Sequence, residues 1–190
     1  MALIKSISGI RGTIGGVPNE NLTPLDVVKF AAAYGSWVLE KGKGKKIVVG
    51  RDGRISGEMV QQLVVNTLLA MGLDVVDLGL STTPTVELAV TWEQAGGGII
   101  ITASHNPPEW NALKFIGADG TFLGPGLARE MLDIYHQGEY AKVSGNEMRG
   151  VETWPGQPTF ISKRFSNALV HCIPNDDFEW YWTHVMVPDQ

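Results

Sequence analysis

The 190-residue sequence predicts an α/β fold, a layered α/β/α domain with a mixed, mostly parallel sheet. Helix and strand patterns alternate from residue 1 to about residue 140, as they do in layered α/β domains with right-handed crossovers. Residues 98–102 read Gly-Ile-Ile-Ile-Thr and are apolar on both faces, which is typical of a strand inside a parallel sheet. Hydrophobic residues make up 44% of the chain and charged residues 18%, so a packed core is expected and bulk disorder is not.

The first predicted helix begins at Thr23 and Pro24, which offer a cap followed by proline at the first helical position. Apolar residues at helical spacing continue this helix to Lys41. Residues 46–50 (KIVVG) then predict a short apolar strand. The chain therefore enters the alternating part of its pattern with a helix and a strand.

A second helix and a second strand follow in the same order. Ser56 is the predicted cap of this helix, one face of which is apolar, and Gly72 ends it. Residues 73–78 predict the next strand. Residues 83–84, again Thr-Pro, start a third helix that extends to about Glu93, just before the Gly-Ile-Ile-Ile-Thr strand.

The pattern changes after Thr102. Residues 103–108 predict a loop, and residues 112–116 a strand that a turn at 118–120 joins to residues 121–123 as a hairpin. Residues 126–136 predict the last helix. We expect one domain over residues 1–140 and a tail over 141–190, in which the sequence indicates no order of elements.

Composition also limits the partners. The net charge of −5 argues against a binder of nucleic-acid backbones. No apolar run approaches the ~20 residues of a membrane span, so we expect no membrane partner. The single cysteine, Cys172, excludes an intramolecular disulfide, and a reducing cytoplasm is the expected location.

The segment with the clearest chemical signal is Thr-Ala-Ser-His-Asn-Pro-Pro at residues 102–108. Ligands in open α/β sheets gather beyond the carboxyl ends of the strands, so Ser104 is well placed as a nucleophile or a phosphate carrier. The two prolines stiffen the loop. An ordinary polar turn remains an alternative. A serine hydrolase is another, although the G-x-S-x-G motif is absent and His105 is not an obvious base for its neighbour.

Four segments together resemble the α-D-phosphohexomutase family. Residues 102–107 match the active-serine signature of that family, and the other three segments occur in the expected order. Residues 8–12 (SGIRG) are similar to its N-terminal arginine loop, residues 50–54 (GRDGR) to its G-R-D-x-R segment, and residues 111–115 (NALKF) to the segment that carries its catalytic lysine. The resemblance covers residues 1 to about 140.

The resemblance implies a mutase that moves phosphate between the C1 and C6 hydroxyls of a hexose phosphate. Ser104, as phosphoserine, would donate its phosphoryl group to form a sugar bisphosphate, and the other phosphate would return to it. A sugar 1,6-bisphosphate is the implied activator. The implied cofactor is Mg²⁺, bound in this chain through phosphorylated Ser104.

The resemblance also implies roles for other residues. The negative charge of a phosphoserine requires nearby cations. Arg11 would contact phosphate, Lys114 would be a general acid or base, and His105 could donate to phosphate or sugar. The expected catalytic residues are Ser104, His105, Lys114 and Arg11, and the expected substrate-binding residues are Arg11 and Asn106.

Two further arginines, Arg51 and Arg54, are predicted to brace the serine loop rather than touch substrate. The metal, sugar and phosphate loops of the family's other three domains do not occur in this sequence. We therefore expect a catalytically incomplete chain, with the missing mutase domains as its partners in a full-length protein. A non-catalytic phosphosugar-binding fragment is the alternative.

Overall fold

Strands and helices alternate along the computed structural model of the chain, which describes residues 3–6, 9–41, 44–141 and 143–153. The strands are β1 (Ile4–Ser6), β2 (Gly9–Thr13), β3 (Lys46–Arg51), β4 (Asp74–Leu80), β5 (Gly97–Ile101), β6 (Trp110–Gly117) and β7 (Val151–Thr153). The helices are α1 (Pro24–Lys41), α2 (Gly57–Ala70), α3 (Thr83–Trp92) and α4 (Pro125–Gln137), and a short 3-10 helix spans Gly145–Glu147.

The strands form one mixed sheet in the order β1-β2-β6-β5-β3-β4-β7. The pairs from β5 through β3 and β4 to β7 are parallel, whereas those from β1 through β2 and β6 to β5 are antiparallel. Only β1 and β6 therefore oppose the direction of the other strands described. This confirms the predicted layered α/β fold with a mixed, mostly parallel sheet.

The sheet separates two apolar layers. Side chains of α1, α2 and α4 share one buried cluster with one face of the sheet, and α3 shares a second cluster with the other face. In β5, Ile99 and Ile101 belong to the first cluster and Ile100 to the second. Since successive side chains of a strand project to opposite faces, this placement explains why the strand is apolar throughout.

The helix starts follow from local capping, with one exception. The amide of Thr85 donates to the side chain of Thr82, so the cap of α3 lies one residue before the predicted Thr83. Ser56 stands at the N-cap of α2 as predicted, but its side chain caps no amide. The Ser56 hydroxyl instead accepts a hydrogen bond of 2.9 Å from Asn111 of β6. This serine therefore ties α2 to the strand that follows the Ser104 loop.

Three strands of the sheet, β1, β2 and β7, lie outside the sequence-based expectations. The segment interpreted as an arginine loop contains strand β2, which places Arg11 on a strand; Ser8 lies outside the described residues. Beyond residue 141, β7 pairs in parallel with β4. The predicted domain boundary near residue 140 stays a prediction, and residues 154–190 lie outside the described part of the chain.

A membrane span requires a helix that is both long and apolar. Within the residues that the structure describes, none of the helices meets both conditions for crossing a bilayer.

Candidate functional site

The loop that carries Ser104 follows the middle strand of the seven, β5, at its carboxyl end. Ser104 is exposed and has a φ of 55°, in the left-handed region that few residues other than glycine adopt. The Ser104 amide donates to the Thr102 hydroxyl over 3.1 Å, and the Asn106 amide donates to the Ala103 carbonyl oxygen over 3.1 Å. These local bonds fold the loop so that the serine stands at its surface.

Arg54 holds this loop through its guanidinium group. Its Nε atom donates to a carboxylate oxygen of Asp52 over 3.2 Å, which anchors the side chain, and that side chain is only 11% exposed. Because the group is planar and presents its donors in a fixed fork, it sets the loop carbonyls in one arrangement. The four carbonyl acceptors of its Nη atoms are those of Ser104 (2.7 Å), Asn106 (2.8 Å), Pro107 (2.8 Å) and Trp110 (2.9 Å).

Arg51 connects the end of β3 to α2. Its Nε atom donates to the Gln61 side chain over 2.8 Å, and its Nη1 atom donates to the Asp52 carbonyl oxygen over 3.2 Å. Gln61 in turn donates to the Asp77 carboxylate of β4. Arg54 thus makes the loop contacts that its predicted bracing role requires. The hydrogen bonds of Arg51 go instead to Gln61 and Asp52 of the scaffold.

Arg11 and Lys114 lie on the same face of the sheet, the face that α3 covers in part. Opposite residues of an antiparallel pair project to the same face, and Arg11 pairs with Ala112 of β6. Lys114 is two residues along β6 from Ala112, so it projects to that face as well. Lys114 pairs with Ile100 of β5, which belongs to the α3 cluster.

Arg11 lies nearer than Lys114 to the edge of the sheet where the loop begins. The Thr102 amide donates to the Ala112 carbonyl oxygen over 3.1 Å, so Thr102, Ala112 and Arg11 stand at one height across neighbouring strands. At strand spacings of ~4.8 Å, the backbones of Arg11 and Thr102 are roughly 10 Å apart. Lys114 is about 7 Å farther from this edge. That these cations and Ser104 share one cleft stays a prediction.

The remaining predicted residues, His105 and Asn106, are in the loop itself. His105 is exposed, and Asn106 is half-buried. The Asn106 side-chain oxygen is buried and accepts no hydrogen bond within the described part of the chain. A buried acceptor without a donor costs free energy, so a donor from water or a ligand is expected there.

Lys114 has two neighbours that the sequence did not single out. Its ammonium lies 5.8 Å from the centre of the Phe122 ring. Burial raises the pKa of Glu87 on α3, and the charge of Lys114 opposes that rise. The tertiary fold brings these residues together, and no spacing in the sequence links Glu87 to the 111–115 segment.

The described residues do not build a metal site of their own. Among them, no three His, Cys, Asp or Glu side chains are grouped so that they could hold an ion. Ser104, once phosphorylated, would offer phosphate oxygens, which suit Mg²⁺. This donor set alone is insufficient for a closed site.

A separate groove lies away from this loop. It is bordered by the ends of α1 and β6 and by α4, and it includes Gly96, which precedes β5. Because Ser104 follows the opposite end of β5, the groove is at the other edge of the sheet. Among the described residues, its lining includes no serine, threonine or cysteine that could carry a phosphoryl group as Ser104 could, so the Ser104 loop is the stronger candidate.

Comparison with known proteins identifies relatives for most of the chain. Residues 4–142 match the family model described as phosphoglucomutase/phosphomannomutase, alpha/beta/alpha domain I. A phosphoglucomutase/phosphomannomutase from Thermococcus kodakarensis is 36% identical over 140 residues, which are 72% of this chain and 31% of that protein. A phosphoglucosamine mutase from Latilactobacillus sakei is 37% identical over 87% of this chain and 37% of that protein.

Solved structures agree with these relatives. A crystal structure from Thermus thermophilus, assigned as a phosphomannomutase, superposes with a TM-score of 0.74 and 28% identity, covering 93% of this chain and 37% of that one. A family protein from Burkholderia thailandensis has a TM-score of 0.67 at 23% identity, over 90% of this chain and 37% of its own, and supports the fold alone. The chain therefore spans about a third of the length of the curated relatives it matches.

Proposed function

Because the chain belongs to the phosphoglucomutase/phosphomannomutase family, through the α/β/α domain I of that family, we propose that Ser104 carries the phosphoryl group of a hexose-phosphate mutase. The observation that carries the proposal is the conformation of Ser104, an exposed residue at φ 55° after the central strand. The Arg54 guanidinium fixes the backbone at Ser104 and just after it, through the carbonyl oxygens of Ser104 and Asn106. A nucleophile held in place before the reaction loses little entropy in the transition state.

In the proposed reaction, phosphoserine 104 donates its phosphoryl group to the free hydroxyl of a hexose monophosphate. The bond between phosphorus and the sugar oxygen forms, and the bond between phosphorus and the Ser104 Oγ breaks. The sugar hydroxyl loses one proton and the serine oxygen regains one, so protons balance. The second half repeats these steps in reverse with the other phosphate of the bisphosphate, which leaves the isomeric monophosphate and phosphoserine.

The other predicted residues act on charge and protons. Arg11 would pair with phosphate oxygens, for which a guanidinium is well shaped. Lys114 would move the proton of the sugar hydroxyl, and His105 and Asn106 would hydrogen-bond phosphate or sugar. We also infer that phosphorylated Ser104 would supply one ligand to a Mg²⁺ ion, which would offset phosphate charge, and that other domains of a full-length enzyme would supply the remaining ligands.

We further infer that this chain alone turns over poorly. Each missing preorganised electrostatic group costs roughly 10²–10³ in rate. The described residues provide no metal site. The sequence also lacks the loop that, in the family it resembles, binds the phosphate at the far end of the sugar. A coupled assay with Mg²⁺, hexose 1-phosphate and bisphosphate activator should give less than about 1 s⁻¹. Faster turnover that Ser104→Ala abolishes would establish a self-sufficient enzyme.

A chase experiment tests the transfer itself. The chain is treated with glucose 1,6-bisphosphate, desalted, and given glucose 6-phosphate. The proposal expects glucose 1,6-bisphosphate to reappear, in an amount no greater than that of phosphorylated chain. Ser104→Ala should return none. Phosphorylated chain that releases only inorganic phosphate to water would favour the non-catalytic phosphosugar-binding alternative.

The serine hydrolase alternative predicts that Ser104 reacts with different reagents. An activated serine reacts with fluorophosphonates, whereas a phosphate carrier without an adjacent general base does not. Rapid fluorophosphonate labelling of Ser104, with no uptake of phosphate from the bisphosphate, would support the hydrolase.

A further inference from the structure

We propose that Glu87 of α3 is a positioning residue that holds the Lys114 side chain on the face of the sheet beside the Ser104 loop. The catalytic consequence rests on the proposed function, in which Lys114 moves a proton. The placement of Lys114 by Glu87 does not depend on that function and can be measured without it.

The backbone brings α3 alongside β6 at this point. Val86 and Val90 of α3 belong to the cluster that contains Ile100 and Ile116, so this helix lies over β5 and β6. The turn after β6 abuts the same part of the helix, because a β-carbon at Gly120 would lie 2.8 Å from the Glu87 carbonyl oxygen. Glu87 therefore stands beside the strand that carries Lys114.

Phe122 is the second neighbour of the Lys114 ammonium. It bridges to Ile116 in antiparallel register, which places it on the α3 face of the sheet. Its ring centre is 5.8 Å from the Lys114 ammonium, within the range of a cation–π interaction. The ammonium is thus attracted by an aromatic face and by a carboxylate on the same side of the sheet.

The electrostatics connect the two charged groups. Burial raises the pKa of the Glu87 carboxyl from its ordinary value of 4.5, and the Lys114 charge lowers it in part. Both residues are only half-exposed, so their attraction is less screened than that of a surface pair. A flexible lysine has many rotamers, and this attraction restricts it to those that keep the ammonium near α3.

A substrate phosphate would compete with Glu87 for the same ammonium. In the proposal, the carboxylate attracts the Lys114 ammonium until a stronger anion arrives, at which point the ammonium can move to the phosphate. Glu87 itself need not touch substrate, which makes it a positioning residue and not a catalytic one.

The direct test is a carbon-13 NMR titration of the Glu87 carboxyl in the whole chain. Lys114→Met removes the cation, so the Glu87 pKa should rise above its wild-type value. Lys46→Met is the matched control, because Lys46 pairs with Glu93 at the end of the same helix. The control should leave the Glu87 titration unchanged. An unchanged Glu87 titration in Lys114→Met overturns the proposal.

A second measurement observes Lys114 itself. Acetylation of individual lysines is followed by mass spectrometry at one fixed pH. Glu87→Gln should increase the acetylation rate of Lys114 by about two- to fivefold, the factor that corresponds to loss of a partly screened charge attraction. Glu93→Gln should affect Lys46 and spare Lys114. Equal Lys114 rates in wild type and Glu87→Gln contradict the proposal.

The experiments distinguish failure of the mutase function from failure of the positioning role of Glu87. If Lys114 and Glu87 are coupled in both measurements but Ser104 never accepts phosphate, the positioning inference stands and the mutase function falls. If Ser104 transfers phosphate while Glu87 and Lys114 titrate and react independently, the mutase function stands and the inference falls. Glu87→Asp, which keeps the charge, should restore part of the protection of Lys114.

Discussion

Ser104 combines exposure with a backbone conformation that its own β-carbon disfavours. A non-glycine residue in the left-handed region costs of order 1–3 kcal/mol, and it persists only where its surroundings impose that conformation. In this loop the surroundings are the Thr102 hydroxyl and the Arg54 fork, both bonded to the backbone of Ser104. The strain is concentrated at the one residue of the loop whose hydroxyl is proposed to react.

This strain leads to a comparison of two variants. Ser104→Gly removes the β-carbon, whereas Ser104→Ala keeps it, and both lack the hydroxyl. We expect the glycine variant to be about 1 kcal/mol more stable than the alanine variant. Urea unfolding followed by tryptophan fluorescence gives both free energies of unfolding. An alanine variant that equals or exceeds the glycine variant would show that the loop relaxes without strain.

Arg54 offers a second prediction at this scale. Lysine in its place cannot reach four carbonyl oxygens, so acceptors that include the partly buried carbonyl oxygens of Asn106 and Trp110 lose their donors. Arg54→Lys should lower the free energy of unfolding by about 2–4 kcal/mol and increase hydrogen exchange in residues 104–110. The control is Arg129→Lys on the exposed surface of α4, which should change stability little. Wild-type exchange in the loop of Arg54→Lys would exclude the proposed clamp.

The elements show what local sequence could and could not predict. The proline start of α1 and the apolar β5 followed from patterns that act within a few residues. Strand β2 was missed because Gly9 and Gly12 give it no strand signal, and pairing with β6 creates it. The same reason hid Glu87, since its relation to Lys114 arises from helix-to-sheet packing. Short edge strands such as β7 depend even more on their partners.

Helix α1 packs closely against the sheet where its Tyr34 meets Gly97 of β5, and this contact leaves no room for a side chain at residue 97. A β-carbon at Gly97 would lie 2.7 Å from the Ile116 carbonyl oxygen and would collide with the Tyr34 hydroxyl. Gly97→Ala should therefore cost about 1–3 kcal/mol of stability. Gly126 of α4 has no atom near its β-carbon position, so Gly126→Ala should stabilise by about 0.5–1 kcal/mol. Equal stabilities of the two variants would refute this packing.

Tyr34 makes the stability of the same layer depend on pH. Its hydroxyl donates to the Ile116 carbonyl oxygen over 2.7 Å, and burial raises the pKa of Tyr34 far above its ordinary value of 10.0. The folded state thus keeps the proton that the unfolded state loses. Tyr34 therefore makes its full contribution to the free energy of unfolding below pH 10. Above pH 10 that contribution falls by about 1.4 kcal/mol per pH unit.

Tyr34→Phe isolates this effect. At pH 8 the wild-type chain should be about 1 kcal/mol more stable than the variant, because of the hydrogen bond. By about pH 11 that advantage should have disappeared. Urea unfolding at both values measures it, and a constant difference between the two chains would mean that Tyr34 does not control alkaline unfolding.

At the scale of the whole molecule, the helices are unequally shared between the faces of the sheet. Three helices cover one face, and α3 alone packs on the other within the described residues. Arg11 and Lys114 lie on that less covered face, near the edge from which the Ser104 loop extends. Under the function proposed above, substrate phosphate would approach this face, where the two cations could pair with it.

The most direct test of the central claim is the mass of the chain after incubation with glucose 1,6-bisphosphate and Mg²⁺. The account predicts a gain of about 80 Da, one phosphoryl group, which fragmentation assigns to Ser104 and which Ser104→Ala does not acquire. Ser6→Ala should acquire it as the wild type does. An unmodified wild-type chain, or a phosphoryl group that persists in Ser104→Ala, would contradict the assignment of Ser104 as the phosphate carrier.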